Sequence, residues 1–539
     1  MRRALALIAI TPILTTTLTV ATSSAATTPA QLTAAQLSSL LPRHSTVVAA
    51  MKRAADYYRP TYPVTTLKPK NGWSWATYAQ GEYALYRSDG DTRYLNDGLS
   101  WGKSNGWGIT TAETNPDTMK AGQTYFDLNS LDATASLTAM DAAMARDLNN
   151  LPISQYDWID ALFMGLPDWT RWAARSGNSA YLDKMDALYV WTRDKGATST
   201  RCGGVTLPQQ GLYDAAERLW YRDCTYVSRK DANGSKIFWA RGNGWVIAAM
   251  AQVLQTLPPG DPRGAKYADM LKSMASRLVQ LQGSDGFWRS SLVDPALYTQ
   301  PETSGTALIT YALAYGIRAG LLDPSTYLPA VAKAWQGLTG SALQSSGFLR
   351  YCQGPGVGPG SSYTSTAPRK APTSTSAGTV NTDSSPYCVG GFLLAGAEIA
   401  QLTSSPSTGR PVTFTSQQTG NEARRVNDGD VTTRWSASKF PQTVTIDLGA
   451  TYALTNAMVV PYLDRAYRYR IQFSTDKTHW RTVVDRTANK TKGTLLDEFT
   501  AANARYVRLT VTGVYGVSTT WASIQEFAVY DRYRPQPVT

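Results

Sequence analysis

Asp160 stands inside an apolar run, Tyr156-Asp157-Trp158-Ile159-Asp160-Ala161-Leu162-Phe163-Met164-Gly165-Leu166. At helical spacing Trp158, Leu162 and Trp169 share one face, with Ile159, Phe163 and Leu166 beside them, so the run predicts a helix buried almost all round. A carboxylate there is either hydrogen-bonded and inert or held dry with a raised pKa, ready to give a proton. Asp117 is a second candidate, in a loop (Asn115 to Tyr125) that feeds a helix. A lone Asp in such a place is most often a turn residue, and Asp157 reads as a helix cap. The chain has only two histidines, His44 and His479, which excludes a His-rich zinc centre and a Ser-His-Asp triad. Acid-base chemistry must therefore rest on carboxylates, tyrosines or lysines. With 16 Trp and 30 Tyr to stack on sugar rings, two carboxylates across a pocket point to glycoside hydrolysis.

Binding groups cluster at Phe238-Trp239-Ala240-Arg241-Gly242-Asn243-Gly244-Trp245. Arg241 carries a fork that matches a carboxylate, and the glycines let a substrate approach the backbone. The same spacing also suits a tight turn packed by tryptophans. Related loop-to-helix clusters recur at Asp285-Gly286-Phe287-Trp288 and Pro301-Glu302-Thr303-Ser304-Gly305.

These groups need a scaffold. Twelve helical patterns run from Val47 to Leu402: 47–58, 75–86, 94–105, 123–131, 140–148, 158–174, 181–193, 245–257, 266–281, 305–319, 328–338 and 388–402. Consecutive helical pairs joined by aromatic, polar loops predict a toroid of hairpins with an inner ring, an outer ring and a pocket at one mouth. No fixed-period repeat marks an open solenoid. Residues 404–410 read as a Ser/Thr/Pro linker. Beyond it, 443–448, 457–460, 469–473, 505–511 and 524–530 alternate with period two, as strands of a β-sandwich.

At 539 residues the chain needs more than one core. Its start, Met1-Arg2-Arg3, an apolar stretch and Ser23-Ser24-Ala25-Ala26, predicts a secretory signal over 1–26 and a secreted protein with no membrane anchor. Four cysteines allow three pairings. Cys202 with Cys224 and Cys352 with Cys388 is the favoured one, since each pair brackets a Gly- or Ser-rich loop. The net charge of +12 suits an acidic partner. Scattered Lys and Arg argue against nucleic acid and leave an acidic polysaccharide.

Four motifs in order, Trp158-Ile159-Asp160-Ala161-Leu162-Phe163-Met164-Gly165, Trp239 to Trp245, Pro301-Glu302-Thr303-Ser304-Gly305-Thr306-Ala307 and Tyr387-Cys388-Val389-Gly390-Gly391-Phe392, closely resemble glycoside hydrolase families 88 and 105, with 105 the nearer. The resemblance implies an (α/α)6 barrel over 27–403 and an enzyme acting on lyase-generated pectin-type oligosaccharides. Such an enzyme removes a 4,5-unsaturated uronic acid from the non-reducing end by hydrating its enol-ether double bond. Asp160 would protonate C4 and activate water for C5, and a nearby negative group, Asp117, would keep it protonated. Substrate binding would fall to Arg241, Trp239, Asn243, Trp245, Trp158 and Arg222, with no catalytic cofactor. Family members place a His in the segment matching 211–226. This chain has none there and carries Arg222 and Asp223 instead.

Residues 411–539 resemble the discoidin (coagulation factor type C) fold, a galactose-binding-like jelly roll also used by family 32 carbohydrate-binding modules. The matching stretches are Val426 to Trp435, Ile446-Asp447-Leu448-Gly449, Phe473-Ser474-Thr475-Asp476 and Ile524-Gln525-Glu526-Phe527. The resemblance implies a structural calcium held by Asp428, Asp430, Thr433 and Glu526. A plant cell-wall polysaccharide would be the domain's partner, and Tyr462, Tyr467 and Tyr515 are candidates for a sugar platform. Two other readings stand beside the hydrolase. One is a polysaccharide lyase on an α/α toroid. The other is a non-catalytic carbohydrate-binding or adhesive protein, favoured if Asp160 and Asp117 do not share a pocket.

Overall fold

The computed structural model describes residues 40–61 (without 43), 71–109 (without 90), 115–359 (without 204, 205, 259 and 357), 386–429 (without 404) and 433–531. The expected signal segment and Asp430 lie outside the described residues, as does the side chain of His44.

Among the described residues twelve α-helices precede the strands of the second domain: α1 (His44–Thr61), α2 (Trp73–Asp89), α3 (Thr92–Ser104), α4 (Pro116–Asn129), α5 (Thr138–Asn150), α6 (Asp160–Ser176), α7 (Ala180–Lys195), α8 (Ala240–Thr256), α9 (Gly264–Gln280), α10 (Thr303–Arg318), α11 (Pro324–Gly337) and α12 (Pro386–Thr403). Their burial sorts them into two rings. Every residue of α8 from Ala240 to Val253 is buried, as is every residue of α10 from Thr303 to Ile317. By contrast, α9 buries Tyr267, Met270, Leu271, Met274, Ala275 and Leu278, a stripe at spacings of three and four. A helix apolar all round must be enclosed, whereas a striped one lies outside with its polar face in water.

The inner ring closes on itself. Helix α2 packs on α4, α4 on α6, α6 on α8, α8 on α10, α10 on α12, and α12 back on α2. Around it α3, α7, α9 and α11 each pack on the inner helix before them in the chain, while α1 packs on α12. Ring closure depends on two glycines: a Cβ at Gly390 would stand 2.2 Å from the Thr77 carbonyl oxygen, and one at Gly81 would stand 2.8 Å from the Gly390 Cα. No side chain fits where these backbones cross.

Asp117 and the four motifs around 160, 240, 303 and 387 fall at helix starts, whereas the cluster at 285–288, expected to lead into a helix, lies in the segment between α9 and α10. The Asn115 side chain accepts from the Asp117 N–H at 3.0 Å, with Pro116 at the first helical position. Glu302 caps α10 by accepting from Ser304 and Gly305 N–H at 2.9 and 2.6 Å. Neighbouring starts touch. The Tyr387 N–H donates to Ser74 Oγ at 3.3 Å, and a Cβ at Gly305 would stand 2.6 Å from the Ala240 carbonyl carbon. The inner helices thus turn their N-terminal ends, the positive ends of their dipoles, toward one mouth.

The boundaries differ from the sequence reading where the chemistry sits. Asp160 is the first residue of α6 and not a mid-helix carboxylate, and α4 and α8 begin at Pro116 and Ala240 instead of near Gln123 and Trp245. The glycines that looked like a loop are there because Ile159 and Leu308 press on Gly242 and Gly244, at 3.0 Å from each built Cβ. Tertiary packing overrides their low helix propensity.

Between α7 and α8 a small hairpin pairs β1 (Tyr213–Asp214) with β2 (Leu219–Trp220). Disulfides join Cys202 to Cys224 and Cys352 to Cys388. Beyond α12, seven antiparallel strands follow: β3 (Val412–Phe414), β4 (Trp435–Ser438), β5 (Gln442–Pro461), β6 (Ala466–Ser474), β7 (Arg481–Arg486), β8 (Leu495–Tyr515) and β9 (Trp521–Asp531). Strands β5 and β8 shift register near Asp447 and Tyr452, so each serves both layers. One layer holds β3, the first part of β5, the last part of β8, β6 and β7; the other holds β4, β9 and the remaining halves. Val444, Ile446, Ile471, Val507 and Leu509 from one layer meet Trp435, Leu454, Phe527 and Val529 of the other in a separate core.

The stretch read as a linker is largely part of this sandwich. Ser405 and Ser407 are buried, and the Ser405 hydroxyl donates to the Val529 carbonyl at 2.7 Å. Among the described residues no helix is long and apolar enough to cross a membrane.

Candidate active site

Asp160 and Asp117 open adjacent inner helices, α6 and α4, at the mouth of the barrel. They feel each other: burial and the Asp160 charge lift the Asp117 carboxyl to about 6, against the opposing pull of Arg222. Arg222 Nε stands 3.3 Å from Asp160 Oδ2, and its Nη1 donates to Asp223 Oδ2 at 2.6 Å. Burial alone would lower the Arg222 guanidinium, but the Asp160 and Asp223 carboxylates outweigh it and hold the group above its ordinary value. Of the pair, Asp117 is the carboxyl whose surroundings raise it, through burial first and the Asp160 charge second.

The chain fixes Arg222 from several sides. Its carbonyl accepts from the Ile159 N–H at 3.0 Å, just before α6. Trp158 and Asp223 form a β-bridge, and Cys224 is tied to Cys202. Asn243 clamps the hairpin end, accepting from the Trp220 N–H at 2.8 Å and donating to the Trp220 and Trp239 carbonyls at 3.0 Å each. Asn243 was expected to bind substrate; its amide is instead engaged by backbone and fully buried.

Other expected contacts are also redistributed. Arg241 is buried, with Nη1 donating to Gln353 Oε1 at 2.8 Å and its guanidinium against the Trp239 and Tyr387 rings, so its fork lies in the wall. Trp245 is 1 % exposed and packs against Phe163, Tyr387 and Trp73 at ring separations of 4.6, 5.8 and 6.2 Å. It forms the floor of the site and offers no open face. Trp239 is likewise buried, between Arg222 and Arg241. Trp158 remains half-buried.

Sequence reasoning missed Arg201. Asp157 is no cap: its carboxylate takes Arg201 Nε and Nη2 at 3.0 and 2.8 Å and the Ser199 hydroxyl at 2.6 Å. That pairing lays Arg201 5.7 Å from the Trp158 ring. The signal was present, since Arg201 adjoins Cys202 and the favoured disulfide brings that loop to Arg222. Beneath the floor, Lys120 Nζ donates to the Gln80 and Gln123 side chains and lies 4.2 Å over the Phe163 ring. Burial drives Lys120 well below its ordinary value, and burial lifts neighbouring Asp168 to about 8.

In the sandwich, Glu526 accepts from the Gly429 N–H at 3.1 Å and Asp428 accepts from the Thr433 hydroxyl at 2.7 Å. The oxygen-rich loop and the late glutamate do meet. Among the described residues, which do not include Asp430, no group of three His, Cys, Asp or Glu is placed to hold a metal. Tyr467 is buried and donates to the Trp521 carbonyl at 3.0 Å, which removes it as a sugar platform. Tyr462 lies between Arg434 and Arg465, at 4.1 and 5.5 Å, and Tyr515 is 43 % exposed.

Comparison with known proteins gives this geometry its relatives. An unsaturated 3S-rhamnoglycuronyl hydrolase of Formosa agariphila is 28% identical, covering 67% of this chain and 92% of its own. A family 88 glycosyl hydrolase structure from Bacteroides vulgatus aligns with a TM-score of 0.57 and 28% identity, over 67% of this chain and 99% of that one. A structure named as a polysaccharide lyase aligns equally, with a TM-score of 0.57 and 28% identity over 66% of this chain and 97% of that one. Residues 411–527 match the model of the F5/8 type C domain. Residues 47–403 match that of Glycosyl Hydrolase Family 88, and the chain is a member of that family.

Proposed function

We propose that this glycoside hydrolase removes a 4,5-unsaturated uronic acid from the non-reducing end of lyase-generated, pectin-type oligosaccharides. Asp160 and Asp117 carry the reading. Hydration of an enol ether needs an acid at C4 and a base for the water that attacks C5. Asp117 keeps its proton up to about pH 6 beside the Asp160 charge, so the pair can supply both. Asp160 makes the transfers, with Asp117 as the proton-holding partner. The hemiketal so formed opens and releases the uronate. Arg222 and Arg201, together with the converging helix N-termini, suit the substrate's carboxylate, and Trp158 suits its ring. The names of the rhamnoglycuronyl relatives support the same chemistry. The charged, apolar and small-residue pattern of residues 1–26 supports export, and the F5/8 type C domain supports a carbohydrate-binding role, with plant cell-wall polysaccharide as its target.

One observation favours elimination instead: the identity to the structure named as a polysaccharide lyase. A single assay separates the two. Hydration bleaches the ultraviolet band of the enol ether, whereas elimination creates it. Purified protein is mixed with a panel of unsaturated oligosaccharides and of intact acidic polysaccharides, beside Asp160→Asn. Bleaching that the variant loses by a factor of roughly 1,000 is expected. Growth of the band on intact polymer would replace the hydrolase with a lyase. No change with either substrate would leave a binding protein.

A further inference from the structure

Apart from the rim formed at the β8–β9 turn, where Tyr515 and Trp521 are exposed, the sandwich has a polar outer sheet face. On β8, Val507, Leu509 and Val511 point into the core while Tyr506, Arg508 and Thr510 alternate outward. Arg508 lies level with Thr445 of β5 and Gln472 of β6, near the centre of the layer. The neighbouring outward residues are short and polar: Thr443 bonds to Thr510 across the strands at 3.1 Å, and Gln472 donates to Thr482 at 3.4 Å. Hydroxyls and an amide line this part of the face.

Trp480, from the β6–β7 loop, folds onto that surface. Its indole N–H donates to the Lys477 carbonyl at 3.1 Å, and its ring centre lies 3.5 Å from the Arg508 guanidinium carbon. Two residues along β8, about 7 Å away on the same face, Tyr506 has Lys477 Nζ 5.6 Å and the Arg505 guanidinium 5.1 Å from its ring. The face holds more cations than anions. Asp447 is paired with Arg505 at 3.0 Å, Asp485 with Arg470 at 3.0 Å, and Asp476 with His479 at 2.7 Å. Among the described residues Arg508 and Lys477 have no carboxylate within ion-pair distance. Arg508 Nε is buried without a hydrogen-bond acceptor, although a guanidinium is normally satisfied when desolvated.

We propose that this sheet face, centred on Trp480 and Arg508, binds a uronate-bearing polysaccharide chain, separately from the loop rim around Tyr515 and Trp521. Aromatic rings take the apolar faces of sugars, the arginine fork and Lys477 take carboxylates, and the threonine ladder takes hydroxyls. The choice of a uronate chain rests on the uronyl reading of the barrel. The face itself rests on charge complementarity.

The test is retention of the full-length protein in gels containing polygalacturonate or a neutral galactan, beside Arg508→Gln, Trp480→Ala, Lys477→Glu and the rim pair Tyr515→Ala/Trp521→Ala. Polygalacturonate is expected to retain the wild type, with affinity falling at least tenfold in Arg508→Gln and Trp480→Ala. Lys477→Glu, on an exposed loop where folding is not at stake, should weaken binding several-fold. Neutral galactan should not report the face, added salt should release the protein, and bleaching of short unsaturated oligosaccharides should stay at the wild-type rate in every face variant. Wild-type affinity in all three face variants, loss only in the rim pair, or no retention of the wild type would each overturn the proposal. Bleaching without retention would remove the face and leave the barrel reading. Retention without bleaching would do the reverse.

Discussion

Asp117→Asn separates a catalytic carboxyl from a helix-capping one. In the folded protein the Asp117 carboxyl is lifted from 3.8 to about 6 by burial and the Asp160 charge. A raised carboxylate contributes stability that is fully present below pH 3.8 and is lost as pH rises through about 6. Two pKa units correspond to about 3 kcal/mol. Asparagine stays neutral, so the variant should match the wild type at pH 3.5 and be more stable by up to about 3 kcal/mol at pH 7.5. For a barrel of roughly 360 residues, with about 2.1 cal/mol/K of unfolding entropy per residue, that raises the midpoint by about 4 °C. Bleaching should meanwhile fall by a factor of roughly 100 to 10,000, because the pair no longer carries the proton for C4. The assay is thermal unfolding of the barrel's transition at both pH values, beside initial rates. A cap would behave otherwise, and Asn115 already caps α4. A variant unchanged in both stability and rate, or a stability gain equal at the two pH values, would refute the reasoning.

Wild-type activity should decline as pH rises above about 6, where Asp117 loses its proton, as a rate profile on one saturating substrate will register. Arg222→Ala leaves Asp160 without its guanidinium and should cost roughly 100-fold in kcat/KM with little loss of fold, read by kinetics and circular dichroism. Cys202→Ser/Cys224→Ser opens a loop of 22 residues. It should cost about 3 kcal/mol in denaturant unfolding and lower kcat by releasing Arg222. Asn243→Ala takes the side-chain partner from the Trp220 N–H and carbonyl, while the Trp239 carbonyl keeps the backbone N–H of residue 243, and should destabilise the barrel by roughly 2 kcal/mol, seen as an earlier unfolding midpoint.

Much of this was legible because helical burial patterns are long. Each of the twelve helical patterns runs over two or more turns, and their succession in pairs announces the toroid; which helices form the inner ring is hidden, because α2 and α4 bury Gln80, Glu82, Lys120 and Gln123 and do not read as apolar all round. Strand alternation located the sandwich for the same reason. What stayed hidden depends on neighbours. Glycines at 242 and 244 look like a loop until Ile159 and Leu308 are seen pressing on them. Arg241 and Arg222 are equally plausible anion forks in the sequence, and only the placement of Gln353 beside one and Asp160 beside the other separates them. Asp157 reads as a cap because its partner Arg201 is 44 residues away.

The floor of the site has one more effect. Trp73, Phe163, Trp245 and Tyr387 meet across the axis, with Lys120 beneath, so side chains from five of the six inner helices close the barrel. Among the described residues the toroid is closed on its axis, as a well is and a tunnel is not. On the proposed reading a chain end would therefore enter and leave by the same mouth, one terminal sugar would be taken per visit, and released product would compete with substrate there.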